Sequence, residues 1–133
     1  MQPTDPPASS LYAQLGGAAA LNAFVGALYF NLLNSPQLSP FFADADVERV
    51  MRHQRALLAV LLTGDDGYDA TALAAVHRPL IEQQGLRERH FDILLGIVEL
   101  TLDDLDVAPP LADAIAERFA ATRAVIFRPP PEK

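Results

Sequence analysis

The 133-residue sequence contains no cysteine and no tryptophan. Without thiols there is no disulfide framework, no thiolate nucleophile and no cysteine-ligated metal site. Lysine and arginine are missing from the first 48 residues, and 10 basic against 17 acidic residues leave a net charge of −7. Phosphate neutralisation needs a basic face, so nucleic acid is excluded as a partner. No apolar run approaches the roughly 20 residues that cross a bilayer. The opening Met1-Gln2-Pro3-Thr4-Asp5-Pro6-Pro7 lacks the basic stretch and apolar run of a secretory signal. The expectation is a cytoplasmic protein, monomeric, with no membrane partner.

What is present is ordinary globular composition, half apolar and 20% charged. The length suits one domain, large enough to bury roughly two-thirds of its surface and to enclose something. Proline-rich residues 1–8 and 128–133 are expected to be flexible tails around a domain at 9–127.

Within the domain the apolar spacing is helical throughout, and no hairpin signal or repeat appears, so the expected class is all-α. Ser9-Ser10 cap a short helix carrying Leu11 and Leu15, which Gly16-Gly17 stop. A helix over 18–33 carries Leu21, Phe24, Val25, Leu28 and Leu32 on one face, widened by Tyr29 and Leu33. After a turn bearing Phe41 and Phe42, Asp44 or Asp46 caps a helix over 47–62. Its stripe is Val47, Val50, Met51, Gln54, Leu57, Leu58 and Leu61. The run Thr63-Gly64-Asp65-Asp66-Gly67 breaks it. Tyr68 and Asp69 lead into a segment with Leu73, Val76, His77 and Leu80 at i, i+3, i+4 and i+7. Pro79 predicts a short or kinked element there, closed by Gly85. A helix over 86–105 follows, with Phe91, Leu94, Leu95, Val98, Leu102 and Leu105 on its face. After the break at Pro109-Pro110, a last helix over 111–127 carries Leu111, Ile115, Phe119, Thr122 and Ile126.

Three polar side chains stand on these apolar faces. His77 occupies a position that its stripe reserves for an apolar residue, and a buried imidazole must find a partner, ionise or bind a metal. Gln54 interrupts the cleanest stripe with an amide whose donors and acceptor all need partners. Tyr29 has a core ring and a hydroxyl that needs one too. Either the three satisfy one another in a helical interaction module, or they surround a polar atom of a bound group. A single histidine makes a poor zinc site. It suffices as the axial ligand of a haem, whose other four ligands come from the porphyrin.

The remaining candidates read as follows. His53 lies at the edge of its stripe, either a half-exposed histidine or a reversible ligand. His90, at a helix N-terminus, reads as a surface residue. Arg49, Arg52 and Arg55 form a solvated basic face, the sort that also meets propionates at a pocket rim. Met51 reads as core, and Asp65, Asp66 and Asp69 do not match a calcium-loop spacing. No catalytic triad, phosphate loop or paired-carboxylate site is present.

Ser10-Leu11-Tyr12-Ala13-Gln14-Leu15-Gly16-Gly17, Phe41-Phe42-Ala43-Asp44, His53-Gln54, Val76-His77 and His90-Phe91-Asp92 follow one another as in a known family. In these segments the chain resembles the group I truncated haemoglobins, particularly the cyanobacterial type. The resemblance implies a two-over-two helical sandwich, with helices 18–33 and 47–62 crossing 86–105 and 111–127, around haem b. It makes His77 the proximal iron ligand and Tyr29 and Gln54 the distal donors, the pair on which any catalysis rests. Phe42 matches the phenylalanine on the haem face, Arg49 a residue near a propionate, and His53 a distal iron ligand used when no gas is bound. Val50, Val76 and Phe91 join the expected haem contacts.

The implied ligands are O2, NO and CO. The implied activity is nitric oxide dioxygenation with an external reductase, or oxygen scavenging. A six-coordinate protein of electron transfer or sensing, closed by His53, is the alternative. Leu28 replaces the family's usual phenylalanine before the tyrosine, Val50 stands where some relatives carry a glutamine, and the glycine pair after helix 47–62 is reduced to Gly64 with Gly67. The last helix has no histidine, so covalent haem attachment is not expected.

Overall fold

Ser10 starts the first helix as its residue type predicts: the hydroxyl accepts from the Ala13 N–H at 3.1 Å, and α1 (Leu11–Leu15) follows. The computed structural model describes residues 10–63 and 69–127, and among them every regular element is a helix. The expected tails 1–8 and 128–133, Ser9 and the break at 64–68 with Tyr68 lie outside the described residues. No helix among the described residues is long and apolar enough to cross a membrane.

Gly16 turns α1 into α2 (Gly17–Leu33) with φ of 128°, and a Cβ at that position would lie 2.8 Å from the Ala20 Cβ. Both the backbone and the close approach therefore require glycine. α2 buries Leu21, Phe24, Val25, Leu28, Tyr29 and Leu32. Leu33, expected on the same face, is exposed instead, because the buried arc of this helix ends at Tyr29 and Leu32.

A 3₁₀ turn, Ser39–Phe42, folds the two adjacent phenylalanines over the core, where both are half-buried. Asp46, of the two candidates, caps α3 (Val47–Leu62), its carboxylate accepting from the Arg49 N–H at 3.2 Å. The expected stripe faces inward, but only Leu58 and Leu61 reach full burial, joined by Leu62.

α4 (Ala70–Gln84) is longer than the short element that Pro79 suggests. It runs unbroken through Pro79. Asp69 caps its start, accepting from the Ala72 N–H at 2.9 Å, and Gly85 ends it in the left-handed region at φ 79°. Proline removes the donor that the Ala75 carbonyl would receive. Ala75 and Pro79 are both exposed, so that carbonyl is not sealed away from solvent and the two caps carry the helix through.

α5 (Glu88–Asp104) starts two residues later than predicted, because Arg87 is extended and its N–H donates to His90 Nδ1 at 2.9 Å. Leu105, expected on the apolar face, is partly exposed beyond the last turn. Thr101 takes a fully buried place that the apolar pattern missed. Its hydroxyl accepts from Asn31 Nδ2 at 2.9 Å and donates to the Ile97 carbonyl at 2.7 Å, which ties α5 to α2.

The last helix is two, α6 (Pro109–Ala121) and α7 (Arg123–Ile126). The Thr122 hydroxyl donates to the Phe119 carbonyl at 2.7 Å and its N–H bonds to the same carbonyl, which tightens the turn and separates them.

α2 packs on α3 and α5, α5 on α6, and α3 on α6. This is the two-over-two sandwich. Phe24 and Phe119 meet edge to face at 6.1 Å in its centre. α1 fills in against α2 and α6. α4 lies apart from this core, with α7 as its main packing partner, and contributes no fully buried residue.

Candidate ligand cavity

Between α4 and the crossing helices lies a cavity of about 580 Å³, and α2, α3 and α4 bring polar side chains to its wall, Tyr29, Gln54 and His77 among them. The rest of the lining is mainly apolar, with Leu28, Leu32, Phe42, Leu57, Leu73, Leu80, Phe91 and Leu94 among it. His77 therefore faces this space rather than a closed core. The volume and the few polar groups in an apolar wall are those of a cofactor site.

His77 is positioned by its own helix. Its Nδ1 lies 2.9 Å from the Leu73 carbonyl. A carbonyl only accepts, so Nδ1 carries the proton and the neutral ring keeps its free lone pair on Nε2. Burial lowers the His77 pKa from its ordinary value, partly opposed by the bond to Leu73. Tautomer and charge both suit a metal ligand.

Tyr29 lies against Phe42, with ring centroids 5.7 Å apart and nearly perpendicular planes. Its residue is 6% exposed, and burial pushes the phenol pKa up to about 12. The hydroxyl thus stays protonated and able to donate. Among the described residues neither this hydroxyl nor the Gln54 amide has a hydrogen-bond partner, although both lie on the cavity wall. The alternative in which Tyr29, Gln54 and His77 satisfy one another is therefore not what the fold does.

The other sequence candidates distribute unevenly. Phe42, Val50 and Phe91 form wall, with Phe91 almost fully buried. His53 lines the cavity although the residue is exposed. Val76 also touches it, but 67% exposed, so it belongs to the rim and not to a buried stripe. Arg49 is exposed and lies outside the lining.

His90 corrects the expectation of a surface residue. It is half-buried on the cavity wall, with its ring edge-on to Phe41 at 5.0 Å. Its Nδ1 accepts from the Arg87 N–H, which leaves Nε2 as its donor. The spacing of three between Arg87 and His90 at a helix start was the available signal. Thr122, Ile126 and Phe127 also line the cavity, residues whose helical stripe gives no hint of it.

These groups fit a haem. No cluster of three or more metal-binding side chains exists among the described residues, so the donor set suits a metal that arrives with most of its ligands. One bare imidazole nitrogen, an apolar slot and two unpartnered donors complete the fit.

The sequence profile of the bacterial-like globins matches residues 10–128. The group 1 truncated hemoglobin GlbN of a Synechocystis species is 33% identical over 108 residues, covering 81% of this chain and 87% of the relative. A group 1 truncated hemoglobin of Chlamydomonas moewusii is 31% identical, covering 91% of this chain and 70% of the relative. Among solved structures, the 2/2 hemoglobin of a Synechococcus species, with covalently attached heme, superposes with a TM-score of 0.84. It is 29% identical, and the match covers 91% of this chain and all of the other. THB1 of Chlamydomonas reinhardtii gives a TM-score of 0.79 at 36% identity, with 91% and 98% covered.

Proposed function

The chain belongs to the bacterial-like globin family, and on that premise we propose that it is a cytoplasmic, monomeric haem b protein that binds oxygen and nitric oxide and removes nitric oxide. Haem iron supplies reversible binding of O2, NO and CO and, with oxygen and an external reductase, the conversion of nitric oxide to nitrate.

The chain's own residues do the rest. His77 offers Nε2 as the protein's ligand to the iron, held in the required tautomer by the Leu73 carbonyl. Tyr29 and Gln54 donate hydrogen bonds to the guest gas. At about 1–1.5 kcal/mol each, two such bonds slow its release by roughly thirtyfold to a hundred-and-fifty-fold. Slow release favours scavenging over transport. Phe42, Val50 and Phe91 keep water from the macrocycle, with Val76 at the rim. Arg49, exposed beside α3's start, is assigned to the haem's carboxylates.

The free Nε2 of His77 in an apolar cavity is the observation that carries this reading. Titration of the purified protein with haemin tests it: a sharp Soret band at one equivalent is expected, and its absence sinks the proposal. Air-equilibrated ferrous protein is then expected to consume nitric oxide and release equal nitrate.

A second reading has one observation behind it. His53 lies on the cavity wall with no hydrogen-bond partner among the described residues. It is a second candidate iron ligand, and closure by it would suit electron transfer or sensing.

A further inference from the structure

The helix that carries His77 is poorly anchored by itself. α4 has no fully buried residue, and Pro79, two residues beyond the histidine, deletes one of its internal hydrogen bonds. Its main support is α7, only four residues long. α7 must in turn be held in place.

That attachment is visible at Arg123, the first residue of α7. Its Nη1 lies 3.2 Å from Glu88 Oε1, and its Nη2 pairs with Asp92 Oδ1. Both carboxylates belong to the first turns of α5, on the same side of the helix. The guanidinium also lies over the Phe91 ring, 4.7 Å from its centroid, and Phe91 lines the cavity. One planar fork thus grips two carboxylates and an aromatic face, a combination that lysine's point charge cannot copy. On the inner side Val125 and Ile126 are buried, and Ile126 lines the cavity.

We propose that Arg123 is a positioning residue for His77: it latches α7 to α5, and α7 carries α4, so that the latch fixes the helix presenting the proximal imidazole. The proposal rests on the assignment of His77 as iron ligand only for its effect on haem. The mechanical part stands on the contacts alone. Opening the latch frees α7 and α4 together and leaves the crossed helices α2, α3, α5 and α6 intact.

The test is amide hydrogen exchange on the full chain, before and after haemin addition, with Arg123→Gln. Exchange of the α4 amides is expected to quicken by about fivefold to tenfold, while the interior of α2 keeps its parental rate. Haem loss to an excess of a competing apoglobin is expected to quicken by a similar factor. Glu88→Gln with Asp92→Asn should reproduce both effects, and adding Arg123→Gln to that pair should change little further. Arg123→Lys should recover only part. Unchanged α4 exchange overturns the proposal, as does equal acceleration in α2 and α4, which would mark a general loss of stability. If the parent bound no haem, the proposed function would fail while the exchange arm still decided the latch.

Discussion

His77 and Leu73 stand one turn apart on α4, and the imidazole Nδ1–H donates to the Leu73 carbonyl at 2.9 Å. This bond decides which nitrogen is free. It makes the histidine a ready ligand without any side-chain partner from another helix. His77→Ala is expected to weaken haem binding by about a hundredfold or more, a larger loss than that from disturbing an outer partner. The helix itself should persist, since both its caps remain. Haemin titration with and without added imidazole checks this: imidazole should restore much of the Soret band. Tight binding by the variant alone would transfer the ligand role elsewhere.

The same residue predicts a pH dependence of the haem-free fold. Burial lowers the His77 pKa below its ordinary 6.5, so the unfolded chain takes up the proton first as pH falls. Stability contributed by the neutral ring is therefore complete above about pH 6.5 and is lost as pH drops through the folded value. Urea midpoints measured between pH 8 and 5 should fall in the parent. They should fall less steeply in His77→Gln, which has no proton to gain. Parallel curves would show that His77 is not responsible.

Tyr29 and Gln54 predict the kinetics of release. Tyr29→Phe keeps the ring against Phe42 and deletes only the unpartnered hydroxyl. The oxygen off-rate is expected to rise by about tenfold, the equivalent of one hydrogen bond of ~1.4 kcal/mol. An off-rate equal to the parent's would remove Tyr29 from the donor role. Because burial pushes the Tyr29 pKa up to about 12, a spectroscopic phenol titration of the parent should also show one tyrosine ionising only near that pH.

How much of this was legible in the sequence depends on the range of each interaction. The cap at Ser10, the one at Asp46 as one of two candidates, and the stop at Gly85 are local, and their residue types announce them, whereas Asp69 reads as a turn residue and caps α4. The inward placement of Tyr29, Gln54 and His77 follows from helical period alone. That they meet in one interior follows from three separate stripes each carrying one polar group; the choice between mutual satisfaction and a bound group does not, and the family resemblance supplies it. Pro79 suggests a break because proline's cost is local, whereas the caps at Asp69 and Gly85 that bound the helix stand ten and six residues away. Thr101 falls three residues after Val98 on the same face, but a threonine does not announce burial, and the partner of its hydroxyl, Asn31, lies 70 residues away. Arg123 lies 31 and 35 residues from its two carboxylates, beyond any helical spacing.

His53 is settled by one spectrum. With its ring on the cavity wall, ligation would give the ferrous, gas-free protein split, low-spin visible bands. His53→Ala would convert them to a broad high-spin band. In the oxygen-binding reading the parent already shows the broad band and the substitution leaves it unchanged. Gas binding should also respond: a histidine that must leave first slows association, so its removal would raise the on-rate only in the six-coordinate case.

The bond between Asn31 and Thr101 yields the last prediction, one about the scaffold. Thr101 is fully buried, and Thr101→Val preserves its volume closely while deleting the hydroxyl that accepts from Asn31. Asn31 then loses its partner on α5. Because Asn31 is only half-buried, water can replace part of the bond, so the expected cost is about 1 kcal/mol and not the full penalty of a sealed amide. Asn31→Ala should cost a similar amount, and the double variant should cost less than the sum, the sign of a shared interaction. Urea unfolding of the haem-free protein measures all three. Strict additivity would mean that the α2–α5 crossing is held by apolar packing alone, with Phe24, Leu28, Val98 and Leu102 sufficient to fix it.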